Sequence, residues 1–181
     1  MTVEEFYDFT DRRPDEEKWE LIDGEPVLNA SPSEFHQWII RNLVIALALQ
    51  ERKLAASWAV IPGIGVRVSN TSRPEPDVMI VPKKPTLSAV QRDTREAIVL
   101  FEIMSPSTSS RDLKWKRAAY TSMPALSHYV VIAQDAIDIV VFDRAAGFEE
   151  RRLVSLTDVV EFPVLGAVLP LSEIYRDTGL A

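Results

Sequence analysis

From Ala97 to Met104 the chain is apolar at every position except Glu102. A run of that kind, with no polar alternation, suits a central strand covered on both faces, and such a strand needs neighbours to pair with and helices to cover it. The flanking sequence supplies both. Ser33 opens a stretch in which Phe35, Ile39, Leu43, Ala46, Leu47 and Leu49 recur at helical spacing as far as Lys53. Ser57 to Ile61, Gly65 to Val68 and Val78 to Val81 are β-branched runs punctuated by Pro or Gly, which predicts strands. Pro82 to Arg95, with two prolines, predicts a polar connection.

The ends of the chain read as plainly. Thr2-x-x-Glu5 is a capping pattern for a short helix to Phe9, and Trp19 to Asn29 predicts a hairpin turning at Asp23-Gly24. After Met104, Ser107 to Ser110 offer several N-caps for a helix that runs to about Met123, where Pro124 blocks continuation. Tyr129 to Ala133, Ile137 to Phe142, Phe148 to Leu153 and Val159 to Phe162 predict a mostly antiparallel set of strands, with a last short helix at Leu171 to Arg176. No internal repeat or low-complexity segment interrupts this order. A length of 181 residues with 46% hydrophobic content predicts one domain over 1–181. No window approaches the ~18 apolar residues of a membrane span. The acidic start is unlike a signal peptide, so the expected setting is the cytoplasm, with no membrane partner.

A lone carboxylate inside an apolar strand requires a reason. Pro76-Asp77 heads the run Val78 to Val81, and two carboxylates on neighbouring strands, Asp77 and Glu102, can hold one hard divalent cation between them. With no Cys, and only His36 and His128, the chain cannot build a thiolate or multi-histidine zinc site by itself. Oxygen donors suit Mg²⁺ or Mn²⁺, which need only one or two protein carboxylates where a phosphate substrate completes the coordination. The plainer alternatives are a turn cap for Asp77 and an ion pair with Lys or Arg for Glu102.

The net charge of −7 speaks against a broad nucleic-acid surface, but it is unevenly placed. The first 36 residues hold eleven Asp/Glu against three Lys/Arg, and the remainder is close to neutral. Local basic groups at Lys83-Lys84, Arg92, Arg95 and Arg111 to Arg117 suffice for a few phosphate contacts. Most of them are equally explained as a solvated charged face.

Taken together, Glu20-Leu21-Ile22-Asp23-Gly24-Glu25, His36, Pro76-Asp77-Val78, Phe101-Glu102-Ile103-Met104-Ser105-Pro106-Ser107-Thr108, Arg111-Asp112 with Lys116, and Tyr120 form a string. It resembles the bacterial Uma-two family, which belongs to the restriction-endonuclease-like PD-(D/E)XK nucleases. The similarity runs from about Trp19 to Leu169. It implies an α/β (α+β) fold, a restriction-endonuclease-like mixed β-sheet flanked by helices. It also implies a divalent metal at the sheet edge and hydrolysis of phosphodiester bonds in nucleic acid, with DNA as the expected substrate. The chain departs from the superfamily pattern in one place: Met104 stands two residues after Glu102 where a strand lysine is usual. Within the family a lysine of the following helix is thought to substitute, and the matching residue is Lys116. Asp112, Lys116 and Tyr120 are four apart, so one helix face could carry them back toward Glu102.

On this resemblance Asp77 and Glu102, with the Ile103 carbonyl, are the expected ligands of Mg²⁺ or Mn²⁺. Lys116 would orient water or offset developing charge, Glu20 would support a coordinated water or a second metal, and His36 would contact a phosphate of the substrate or support Glu20. Each has a structural rival. Lys116 could simply pair with Asp112, Glu20 could be a hairpin surface charge, and His36 and Tyr120 could be packing residues, with Trp115 on another face at an interface. Cutting both strands of a duplex calls for two sites, so a homodimer is expected of an active enzyme. The competing class is a nuclease fold kept as a binding or self-association module, since a fold does not establish an activity.

Overall fold

The computed structural model of the chain describes residues 1–104 and 110–180, and of residues 110–112 the backbone alone. The first helix, α1 (Val3–Thr10), begins at a capping box in which Thr2 and Glu5 satisfy each other's backbone N–H groups. Strands β1 (Trp19–Ile22) and β2 (Glu25–Leu28) follow as a hairpin. Asp23 and Gly24 both take positive φ, 49° and 84°, which is the two-residue turn whose twist matches paired strands. Val3 and Phe6 of α1 are buried with Leu21 of the hairpin.

The long helix α2 (Glu34–Lys53) starts at Ser33, whose hydroxyl accepts from the His36 N–H. Ile39, Leu43 and Leu47 form its buried stripe, together with Asn42, whose amide donates to the carbonyls of Ile174 and Arg176. The stripe is narrower than the sequence predicts. Leu49 is exposed at 63% because it lies off the line that Ile39, Leu43 and Leu47 follow, and the stripe is also shorter, since Phe35, on that line one turn before Ile39, is exposed at 45% in the first turn of the helix.

Then come β3 (Trp58–Pro62), β4 (Gly65–Val66), β5 (Val78–Pro82), β6 (Asp93–Thr94) and β7 (Val99–Met104). Helix α3 (Ser110–Thr121) leads to β8 (His128–Ala133), β9 (Ile139–Asp143) and β10 (Glu150–Leu153). The chain ends in β11 (Val159–Phe162), β12 (Ala167–Pro170) and the short α4 (Leu171–Ile174). The expected N-caps Ser107 to Ser109 lie outside the described residues. Two features are additions to the sequence reading: β6, which pairs in parallel with β4, and β12, which returns antiparallel on β11 after a 3₁₀ turn at Pro163–Leu165.

The main sheet has the order β10-β9-β8-β7-β5-β3. It is mixed. β7 and β8 are parallel, joined through α3, and every other neighbouring pair in it is antiparallel. β7 is central, as its composition requires, and its alternation divides two cores. Val99, Phe101 and Ile103 face α2, α4 and the β11–β12 hairpin. Leu100 faces Tyr120, Met123 and Leu126 on and after α3, so Glu102, two residues on, turns to that same side. No helix among the described residues is long and apolar enough to cross a membrane.

Candidate active site

Three pieces of backbone converge on the C-terminal end of β7. In the β5–β7 ladder Val78 is opposite Phe101, so one further step sets Asp77 beside Glu102. Asp77 is fixed there at both ends: its N–H donates to the Phe101 carbonyl at 3.1 Å, and its Oδ2 accepts the Ile103 N–H at 2.7 Å. In a strand the N–H and C=O of one residue point to the same side. The Ile103 carbonyl is therefore turned toward Asp77, beyond the first residue of β5.

The hairpin delivers the second carboxylate. Leu21 and Arg73 exchange both backbone hydrogen bonds, at 3.1 and 2.7 Å, which docks β1 against the segment that leads into β5. Glu20 is consequently buried, and its Oε1 accepts the Glu75 N–H at 2.6 Å. Helix α3 supplies the cation. Lys116 Nζ lies 3.1 Å from Glu20 Oε1 and 3.1 Å from Glu102 Oε1, and 3.2 Å from Glu102 Oε2. One turn further on, the fully buried Tyr120 donates its hydroxyl to Glu102 Oε1 at 2.8 Å. From α2, His36 Nε2 approaches Asp77 Oδ1 at 3.1 Å, and its buried Nδ1 has no hydrogen-bond partner among the described residues.

Asp77, Glu102, Ile103, Lys116, Glu20 and His36 thus meet at one end of the sheet. His36 stands against Asp77 rather than Glu20, because the first turn of α2 reaches the start of β5 and not the hairpin. Trp115 is occupied within its own chain: its indole N–H donates to Asp23 Oδ2 at 2.7 Å, tying α3 to the hairpin turn. The side chain of Asp112 lies outside the described ones. Two contributors went unassigned from sequence. Tyr120 carries a signal, since it shares a helix face with Lys116. The Glu75 N–H carries none, being a backbone group.

Burial pushes the Glu102 carboxyl up to about 8; the Lys116 ammonium opposes that rise, and the charges of Asp77 and Glu20 add to it. Burial, reinforced by Glu102 and Glu20, holds the Tyr120 phenol well above its usual range, so it remains a hydrogen-bond donor. The charged groups are interlocked: one ammonium is shared by two buried carboxylates, with a third carboxylate alongside.

No group of three or more His, Asp or Glu side chains disposed to hold a metal ion occurs among the described residues. The donors at hand are two carboxylates, Asp77 and Glu102, and the Ile103 carbonyl. This is a small, hard set, which fits Mg²⁺ or Mn²⁺ completed by water and a phosphate and does not fit a structural zinc site.

A family model described as "Uma2: Putative restriction endonuclease" matches residues 3–172. Among solved structures, one described as a "putative nuclease belonging to DUF820 from Anabaena variabilis ATCC 29413" superposes with a TM-score of 0.78 at 15% identity, over 97% of each chain. At that identity the likeness is one of fold. No curated protein matches the chain.

Proposed function

The chain belongs to the Uma2 family, and from that membership we propose that it is a metal-dependent endonuclease that hydrolyses phosphodiester bonds of DNA. The observation that carries this reading is Lys116 Nζ at 3.1 Å from both Glu102 and Glu20, with Asp77 on the adjoining strand. A helix lysine there supplies the positive charge that Met104 cannot supply from the strand.

In this reading Asp77, Glu102 and the Ile103 carbonyl hold Mg²⁺ or Mn²⁺. The ion, when bound, polarises a phosphoryl oxygen and makes water a competent nucleophile near neutral pH. The remaining work belongs to side chains. The Ile103 N–H and His36 together fix the rotation of the Asp77 carboxylate that would hold the ion. Glu20, anchored by the Glu75 N–H, holds the Lys116 ammonium in place, where it offsets charge developing on the phosphoryl oxygens. His36, with Nε2 on Asp77 and Nδ1 buried, serves in this reading to orient Asp77 rather than to contact a phosphate. No covalent bond to the protein is needed. Severing both strands requires two such sites, so the active species is a homodimer, a point that light scattering in solution tests directly.

The purified protein is expected to nick or cleave plasmid DNA with Mn²⁺ or Mg²⁺. Glu102→Gln keeps the shape and removes the charge, and it is expected to lower cleavage by at least the ~100-fold that loss of even an outer partner of a metal ligand can cost. Calorimetric titration of Mn²⁺ is expected to show binding by the wild type and none by Asp77→Ala. Glu102→Gln cleaving as fast as wild type defeats the mechanism. Failure of the wild type both to cleave any nucleic acid and to bind Mn²⁺ leaves a binding or self-association module.

A further inference from the structure

Resting on the reading above, we propose that Tyr120 is a positioning residue for the metal site: its hydroxyl selects which oxygen of Glu102 is left for the cation. Glu102 Oε1 accepts the Tyr120 hydroxyl at 2.8 Å and also lies 3.1 Å from the Lys116 ammonium as an ion pair. Oε2 accepts from one donor among the described residues, Lys116 Nζ at 3.2 Å. Once ionised, as a metal ligand must be, the carboxylate has about four acceptor directions, two on each oxygen. Oε1 is therefore the more engaged oxygen, with the phenol and the ammonium both upon it, and Oε2 retains capacity.

The ammonium alone cannot make that distinction, because it lies almost equally far from the two oxygens. The phenol can. Its ring is fully buried, set edge-on to Tyr129 with centroids 5.2 Å apart, in the core with Met123 and Leu126. That packing leaves the hydroxyl little freedom. A rigid donor on one oxygen prevents the Glu102 carboxylate from rotating about its last bond. Orientation of a metal-ligating carboxylate by an outer hydrogen bond is a common requirement of such sites.

Tyr120→Phe removes the hydroxyl and keeps the ring. Titrated with MnCl₂ alone in a calorimeter, this variant is expected to bind Mn²⁺ about tenfold or more weakly than wild type. Leu126→Ala loosens the same core without touching Glu102, so it is expected to melt at a lower temperature and keep the wild-type Mn²⁺ affinity. The rise in melting temperature produced by Mn²⁺ is the second readout. It follows RT ln(1 + [L]/Kd), so it reports affinity even for a marginally stable variant. It is expected to shrink for Tyr120→Phe and persist for Leu126→Ala.

A Kd for Tyr120→Phe within twofold of wild type overturns the positioning role while leaving the metal reading intact. Equal weakening in Leu126→Ala also overturns it, since loss of packing would then suffice. Absence of Mn²⁺ binding in the wild type overturns both.

Discussion

Glu102 meets two opposed demands at once: it is buried in an apolar strand, where a charge is costly, and it faces an ammonium that favours that charge. The first demand dominates, which raises the carboxyl from 4.5 to about 8. The folded protein therefore binds more protons than the unfolded chain between those values, so stability falls as pH rises through that window, by up to ~1.4 kcal/mol per pH unit. His128 acts in the other direction. Burial lowers its pKa from 6.5, so the unfolded chain takes up the proton first and stability is lost as pH drops below 6.5. The Glu102 contribution is thus least obscured from 6.5 to 8. Urea unfolding in EDTA at several pH values is expected to show stability declining over that range for wild type and a flatter profile for Glu102→Gln. An identical decline in both proteins rejects this assignment. At neutral pH Glu102→Gln is expected to fall well short of the ~3–5 kcal/mol lost when a buried charge is left without a counter-ion, because Lys116 retains Glu20.

At the scale of elements, the site depends on a short irregular segment, Arg73-Pro74-Glu75-Pro76-Asp77, more than on any helix. Its first residue bonds to the hairpin, its third donates to Glu20 and its last is the candidate ligand. Arg73 pins it: the buried guanidinium reaches Glu75 at 2.8 Å and the Arg92 carbonyl at 2.8 Å, beside Gly65. A Cβ added at Gly65 would stand 2.1 Å from that guanidinium, so Gly65→Ala must displace it and is expected to disturb its bonds to Glu75 and Arg92. The expected loss in urea unfolding is about 1–3 kcal/mol, the usual range for overpacking, accompanied by weaker Mn²⁺ binding. A variant as stable as wild type would show that Arg73 is not fixed. This segment also marks the limit of what the sequence conveys. Caps, the Asp23-Gly24 turn, α2 and the central strand were legible because each follows from neighbours a few residues away. The meeting of Asp77, Glu102 and Lys116 was legible through resemblance to a family. The ion pair between Glu20 and Lys116 was not, since it depends on how the hairpin docks on Arg73. β12 escaped because Pro163 and a four-residue length obscure the strand pattern, and the exposure of Phe35 and Leu49 shows that helical spacing locates a face without fixing its length or width.

Over the whole molecule, the distribution of charge limits how the DNA proposed as substrate could be held. The net charge is −7, and many of the cations already have carboxylate partners within the chain. Arg67 pairs with Glu4 and Asp93, Arg92 with Asp11, Arg73 with Glu75, Lys83 with Glu51, Lys84 with Glu96 and Arg152 with Asp138. The acidic N-terminal segment thus covers part of the basic surface that the sequence offers, with Glu4 on Arg67 and Asp11 on Arg92. Of the basic groups that the sequence offers for phosphate contacts, Lys83, Lys84 and Arg92 are engaged in this way, which lowers the number ready to displace counter-ions from a phosphate backbone. Each phosphate neutralised contributes about −0.9 to the slope of log K against log salt. For a site that engages only two to four phosphates, the slope is expected to be no steeper than about −4. Fluorescence anisotropy of a labelled duplex, with Ca²⁺ in place of the catalytic metal and NaCl varied, measures it. Glu4→Gln together with Asp11→Asn frees Arg67 and Arg92 from those partners and is expected to strengthen binding and steepen the slope by about one to two contacts. A wild-type slope near −8, or a double variant that binds the duplex no differently from wild type, would mean that any bound DNA sits on a surface other than the one these ion pairs occupy.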